Sequence, residues 1–469
     1  MSVQSPSKLP TASCPAMFIV APSSGEGKTT VTAAIARSYR NKGKNVRVFK
    51  TGPDYLDPQI LAQASGKDVE PLDMWMAGEA YCQQKLYEAA EVSDLIIIEG
   101  AMGMFDGEPS SADLAARFNI PVVIVLNVKG MAQTAGAIAT GLARYRSDIH
   151  VAGIIANHCS TERHEELIRD ALPSDIPLLA TLARDEEVTL PERHLGLVQA
   201  DEVREELEVR FEKGVSWIGE QAITQLPEPV DFKSTSLARP SRLLEGKHIA
   251  IAKDAAFSFI YDANLRLLET LGASYEFFSP MSDQQVPVAD ALWLPGGYPE
   301  LYAQKLSQNR SMCESVQVFH RANKPVLAEC GGFLYCLESL TDLEDARYSM
   351  AGLMAGDGAM RGKRGCQGMQ TAALPEGDVR AHAHHRSRSA NTPEPIGYGK
   401  RQRHSAPGEA IYREGSLTAT YLHLFFPSNA EAIAALFLGV TTFSATTEAV
   451  NRTENALSYN MLSNNEQAR

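Results

Sequence analysis

The stretch "MFIVAPSSGEGKTTVTAAIARSY" (Met17–Tyr39) passes from an apolar run through a Gly-rich turn into a segment where Val31, Ala34, Ile35 and Tyr39 recur at helical spacing. Strand, loop and helix in that order are the context in which G-x-x-x-x-G-K-[ST] cradles phosphates. The usual opening glycine is absent, because position 22 is Pro22. Gly25 and Gly27 still let the backbone turn inward without a Cβ in the way, and the helix that follows favours an anion at its N-terminus. The expected nucleotide contacts are Ser24, Gly25, Glu26, Gly27, Lys28, Thr29 and Thr30, with Lys28 on the β/γ-phosphates and Thr29 on magnesium.

Outward from this stretch, apolar runs bounded by turn residues recur at Val46–Phe49, Leu95–Ile98, Val122–Leu126 and Val151–Ile155, separated by helix-like segments. That alternation predicts an α/β domain with a parallel sheet buried on both faces. A polar, Pro-containing stretch over 225–247 reads as a linker. Beyond it the pattern restarts with His248–Ala252, a helix-like Tyr261–Leu271, Ala291–Leu294 and Pro325–Ala328, which predicts a second α/β domain. The expected organisation is a flexible N-terminus (1–15), a nucleotide-binding domain (16–224), the linker, a second domain (248–437) and a polar tail (438–469).

The 469 residues exceed what one core usually supports, and a net charge of −13 argues against a nucleic-acid partner, which would need cationic side chains for the phosphates. Seven scattered cysteines give neither a disulfide framework nor a zinc pattern. A polar first segment and no run of 18 apolar residues predict a cytoplasmic protein with no membrane partner.

Two loops carry carboxylates. "TGPDYLDP" places Asp54 and Asp57, with Tyr55 between them, after one strand, and "IIIEGAMGMFDG" places Glu99 and Asp106 after another. Ligands of parallel sheets sit outside the carboxyl ends of the strands, so all four can share a crevice with the phosphate loop. Mg²⁺ is expected there on Thr29, Asp54 and Glu99, and Asp54, Tyr55, Asp57 and Asp106 are expected to face the substrate.

In the second domain, "PVLAECGG" puts Cys330 at the sharp turn ending a strand, the geometry of an exposed nucleophile with N–H groups nearby for an oxyanion. "LPGGYPEL" supplies a second Gly-Gly turn, so Gly297 and Gly331 are the expected oxyanion donors, and His423 in "YLHLFF" is the expected base.

Together, "SSGEGKTT", "KTGPDYLDP", "IIIEGAMGMFDG", "AGIIANH", "LPGGYPELYA" and "AECGGFLY" resemble the cobyrinic and hydrogenobyrinic acid a,c-diamide synthases, from about position 16 to about 430. The resemblance implies a dethiobiotin-synthetase-type P-loop domain joined to a class I glutamine amidotransferase domain. It further implies that glutamine is hydrolysed at Cys330, with His423 as base, and that ammonia displaces phosphate from an acyl phosphate formed with ATP on a and c carboxylates of the corrin ring in cobalamin biosynthesis. Three positions depart from the family pattern. Phe425 stands where many class I amidotransferases carry a carboxylate, Ala383 where relatives have Glu, and Asn127 where they have Asp. Nickel-sirohydrochlorin a,c-diamide synthase and cobyric acid synthase are the alternatives within the class, and a ParA/MinD-like ATPase switch is the alternative outside it. The sequence leaves open the cobalt content of the ring and the number of chains that assemble, a homodimer being one option.

Overall fold

The computed structural model describes residues 9–441 except 194, 195, 198, 363, 364 and 366; most of the expected polar tail lies outside the described residues. The chain divides into two compact units, one of residues up to 239 together with Tyr261–Ala263 and the other of 240–260 together with the residues from 264 on.

The first unit contains β1 (Thr11–Val20), α1 (Lys28–Asn41), β2 (Val46–Lys50), α2 (Leu56–Ser65), β3 (Glu70–Pro71), α3 (Glu79–Val92), β4 (Leu95–Glu99), α4 (Ser111–Phe118), β5 (Val122–Asn127), α5 (Gln133–Arg144), β6 (Val151–Asn157), α6 (Glu162–Ala171) and β7 (Leu178–Leu182). A two-residue ladder of β8 (Glu192–Arg193) with β9 (Gly196–Leu197) follows, then α7 (Arg204–Ile218) and β10 (Pro229–Lys233). Strands β3-β2-β4-β1-β5-β6-β7 form a parallel sheet, in which chain order reverses at β1. In β1 the side chains alternate between two cores: Ala16, Phe18 and Val20 enter one, and Met17 and Ile19 the other. This two-sided burial is why the strands read as unbroken apolar runs.

The stretch expected as linker is partly sheet. Val230 and Phe232 are buried between exposed Pro229, Asp231 and Lys233, and this period-two pattern pairs β10 antiparallel with Thr11–Pro15, residues expected to be flexible. The flanking prolines obscure the alternation in the sequence.

The second unit opens with β11 (His248–Ala252), α8 (Asp262–Thr270), β12 (Ser274–Phe278), β13 (Ala291–Leu294), α9 (Ala303–Gln308), α10 (Arg310–Arg321), β14 (Val326–Glu329) and α11 (Gly331–Cys336). A small sheet uses β15 (Ser339–Thr341), β16 (Arg347–Ser349), β17 (Asp357–Met360) and β20 (Ser387–Ala390). The main sheet continues through β18 (Gln367–Leu374), β19 (Gly377–His384), β21 (Gly397–Arg401), β22 (Pro407–Glu414), β23 (Leu417–Thr420) and β24 (His423–Leu424), and α12 (Ala430–Leu438) closes the described chain. Its order is β12-β11-β13-β14-β23-β22-β21-β18-β19-β24, parallel from β12 to β23 and antiparallel beyond. Helix α12 stops at Gly439, whose φ of 68° is a left-handed cap.

Candidate functional site: a phosphate loop and a thiol elbow

Ser24 to Gly27 form the loop between β1 and α1, and Lys28, Thr29 and Thr30 form the first turn of α1. Gly25 (φ 83°) and Gly27 (φ 92°) are the loop residues with left-handed backbones, a conformation that Pro22, with its ring-fixed φ, need not adopt. Gly27 is required sterically as well, since a Cβ there would lie 2.4 Å from Asn157 Nδ2. Glu26 locks the loop to the sheet. Its Oε2 accepts from Asn127 N at 2.7 Å, its carbonyl accepts from Asn157 Nδ2 at 2.9 Å, and its Oε1 accepts from the Ser23 hydroxyl at 2.9 Å. Asn127, one of the departures, thus braces the loop through its main chain.

Buried Lys28 donates to the carbonyls of Ser23 (2.9 Å) and Met102 (2.8 Å). Met102 holds a φ of 52°, a strained backbone at the point where its carbonyl meets this ammonium. Burial, followed by the nearby Lys50 charge, lowers the Lys28 pKa against the pull of Glu99, Asp57 and Glu26.

The centre of the site is Lys50, which opens "KTGPDYLDP" but is not among the expected site residues. Lys50 ends β2 directly opposite Glu99 at the end of β4. Its ammonium lies 2.5 Å from Glu99 Oε1, 2.6 Å from Asp57 Oδ2 and 3.9 Å from Asp54 Oδ2. Thr29 Oγ1 is 2.8 Å from the same Glu99 oxygen and 3.3 Å from the same Asp57 oxygen. Burial disfavours the Lys50 charge, but Asp57, Glu99 and Asp54 outweigh it and hold the ammonium protonated. Burial raises the Glu99 pKa against the pull of Lys50, and Asp57 is lowered because Lys50 overcomes its burial. Asp54, pushed up to about 7 by burial and by Asp57, takes the proton the pair can share. The signal in the sequence was a lysine closing one apolar run and a glutamate closing another.

The expected site carboxylates separate into groups. Asp57 and Glu99 converge with Thr29, while Asp54 sits at the rim and caps α2 through bonds from Leu56 N (3.0 Å) and Asp57 N (3.2 Å). Tyr55 is the half-buried residue preceding α2. Asp106 is exposed and accepts from Gly103 N at 3.2 Å in its own turn. A hard divalent cation fits the Thr29–Asp57–Glu99 group. All donors are oxygens, and Glu99 Oε2 is buried with no hydrogen-bond partner. Among the described residues no group of three or more His, Cys, Asp or Glu side chains is placed to hold a metal ion by itself.

In the second unit, Cys330 has φ 46° and ψ −100° at the turn from β14 to α11 and donates its N–H to Thr420 O at 2.8 Å. This is the strained elbow expected of a nucleophile. Gly297 and Gly331 lie back to back: a Cβ on Gly331 would be 2.9 Å from Gly297 N. His423 pairs with His382 across β24 and β19, their rings stacked at 4.9 Å and 15°. On another side the Gly296 backbone abuts the ring, where a Cβ would fall 2.2 Å from His423 Cε1. Burial, followed by His385 and His384, lowers the His423 pKa to about 3, so the imidazole is neutral. Burial, followed by the Glu300 carboxylate, raises the Cys330 thiol. Burial thus favours the neutral form of both groups.

His382 was not selected from the sequence; the alternation in "AHAHH" (Ala381–His385) is the signal that marks it, since Ala381 and Ala383 are core residues. Ala383, the second departure, fills the core at the position where a carboxylate would have to be buried. Tyr421 leads towards His423 and lines a cavity of about 450 Å³ together with His385, Ser387, Arg388, Arg401 and Glu409. Among the described residues no helix is long and apolar enough to cross a membrane.

Residues 17–198 match the family profile of the CobQ/CobB/MinD/ParA nucleotide binding domain, and 248–431 that of the CobB/CobQ-like glutamine amidotransferase domain. The chain is 48% identical over 423 residues to hydrogenobyrinate a,c-diamide synthase of Stutzerimonas stutzeri, covering 90% of this chain and 98% of that one. The same enzyme of Pseudomonas aeruginosa is 48% identical over 425 residues, 91% of this chain and 98% of that one. Cobyrinate a,c-diamide synthase of Herminiimonas arsenicoxydans is 45% identical over 433 residues, again 91% and 98%.

Proposed function

We infer what the two sites do from the premise that the chain belongs to the family of hydrogenobyrinate and cobyrinate a,c-diamide synthases. It is a glutamine-dependent amidating ligase of cobalamin biosynthesis, and its substrates are glutamine, ATP and the a and c carboxylates of cobyrinic or hydrogenobyrinic acid.

In the second unit, Cys330 attacks the glutamine amide carbon as His423 takes the thiol proton, with the N–H groups of Gly297 and Gly331 facing the oxyanion. His423 returns the proton to the departing ammonia, and water then releases glutamate from the thioester. The cavity beside Tyr421 offers Arg388 and Arg401 to an α-carboxylate and Glu409 to an α-ammonium, opposite charges suited to the head of a zwitterion.

In the first unit, a ring carboxylate oxygen attacks the γ-phosphorus of ATP, ADP leaves, and ammonia then displaces phosphate from the acyl phosphate. Lys28 turns from its carbonyls towards the phosphates, and Asp54 and Tyr55 face the ring acid. Thr29, Asp57 and Glu99 would hold Mg²⁺, in a set that differs from the sequence expectation by taking Asp57 in place of Asp54. Bound there, Mg²⁺ neutralises charge on the transferring phosphoryl group. Lys50 supports this reading most directly, because a cation already stands among these oxygens.

The test is to label the ring carboxylates with ¹⁸O and recover inorganic phosphate after turnover. One labelled oxygen in phosphate for each amide formed is expected; unlabelled phosphate overturns the acyl-phosphate route.

A further inference from the structure

A catalytic histidine generally needs a third group to orient it. Position 425 cannot supply one, since Phe425 is apolar and fully buried. A carboxyl group stands directly before the nucleophile in the sequence. Glu329 is 2% exposed at the end of β14. Its Oε1 accepts from Leu424 N at 2.8 Å and its Oε2 accepts from Trp293 Nε1 at 2.9 Å. One side chain thus ties the nucleophile's strand to β13 and to the residue that follows His423.

We propose that Glu329 is the positioning residue of the thiol site: it sets the separation of Cys330 and His423 through the main chain of β24 rather than through a bond to the imidazole. The ring plane is already fixed by His382 and by the Gly296 backbone. What those contacts leave unset is how far β24 stands from the elbow, and the Glu329–Leu424 bond sets it. A buried carboxylate is costly to retain for packing alone, and an apolar residue would fill the end of β14 at less cost. Asn264 also holds this segment, bonding Leu424 O and Phe426 N at 2.9 Å each, so loss of Glu329 leaves β24 attached but displaced.

This proposal rests on the reading of Cys330 and His423 as the glutaminase pair. The test compares Glu329→Gln, which opposes an amide N–H₂ to one of the two N–H donors, with Trp293→Phe, which removes one donor and keeps a smaller aromatic ring in its place. Cys330→Ala is the control for the underlying reading. Full-length variants are assayed for glutamine hydrolysis and for synthesis with free ammonia. Glu329→Gln should lower kcat for glutamine by roughly 10²-fold, as misplacement by about 1 Å does, with KM within about twofold and ammonia-driven synthesis unchanged. Trp293→Phe should give the same split at roughly tenfold, and it decides the matter should Glu329→Gln fail to fold. Unchanged kcat in the folded variants, or equal losses with glutamine and with ammonia, overturns the positioning role. Glutamine hydrolysis persisting in Cys330→Ala overturns the glutaminase reading instead, whatever Glu329 does.

Discussion

Glu99 and Glu329 each end a buried parallel strand, and each is almost wholly withdrawn from water. Glu99 faces the ammonium of Lys50 on the neighbouring strand, whereas the bonds recorded to Glu329 come from neutral N–H groups and burial carries its pKa up to about 8. The first unit buries charge by pairing it with charge, whereas the second buries the His382 and His423 rings near the Cys330 elbow in their neutral form. A paired cation can be exchanged for another cation, which suits the metal and phosphate proposed for this site. A carboxyl group held by dipoles has no such exchange available and works as a fixed strut.

Cys330→Ala should divide the halves most sharply. Glutamine-driven amidation should fall by roughly 10³-fold or more while ammonia-driven amidation persists, measured as amide product by mass spectrometry. Loss of both activities in a folded variant would break the comparison. Lys50→Met should strand Asp57 and Glu99 without their cation and cost roughly 3–5 kcal/mol in urea unfolding, part of it recovered with Mg²⁺. Stability equal to the wild type would mean the pairing is not what balances the first site. Lys28→Ala should lower amidation roughly 10²-fold with either nitrogen source and leave glutamine hydrolysis measurable.

The neutral histidines give a pH signature of the second unit. Burial depresses both His382 and His423 in the fold, His423 to about 3, so their stabilisation is complete above the unfolded value near 6.5 and is lost as pH falls from there. Each contributes a slope of at most about 1.4 kcal/mol per pH unit. Replacing His382 by Leu should flatten the stability profile by about one proton between pH 6.5 and 4.5. An unchanged slope would show that this ring is charged in the fold. Asp106→Asn should do least, within about 0.5 kcal/mol of wild-type stability, because the side chain is exposed and caps only its own turn. A marked fall in amidation by that variant would return Asp106 to the substrate face.

Much of this was legible in the sequence, for a physical reason. Parallel strands buried on both faces must be apolar throughout, so Val46–Phe49, Leu95–Ile98 and Val122–Leu126 stand out, and the Ala291–Leu294 run coincides with β13. The phosphate loop and the elbow are local in sequence, with Gly25, Gly27 and Cys330 declaring their backbones through residue type or the adjoining Gly-Gly turn. The partners brought by register were not legible. Nothing near Lys50 says that it faces Glu99, or near Glu329 that it reaches Leu424, because those distances are set by strand order across the sheet. The antiparallel strands β18, β19, β21 and β22 of the main sheet were not legible either, since half-exposed strands such as Gly397–Arg401 carry few apolar residues.

The pairing of β10 with the start of β1 has a mechanical consequence. Thr11 lies opposite Lys233 and Pro15 opposite Pro229, so the chain enters and leaves the ladder at the same end. Tension applied at residues 11 and 233 would load the ladder's hydrogen bonds one after another, as a zipper is opened, rather than all together in shear. The first unit is thus fastened where its two ends meet by a seam that yields stepwise to a pulling force while the parallel strands behind it stay closed.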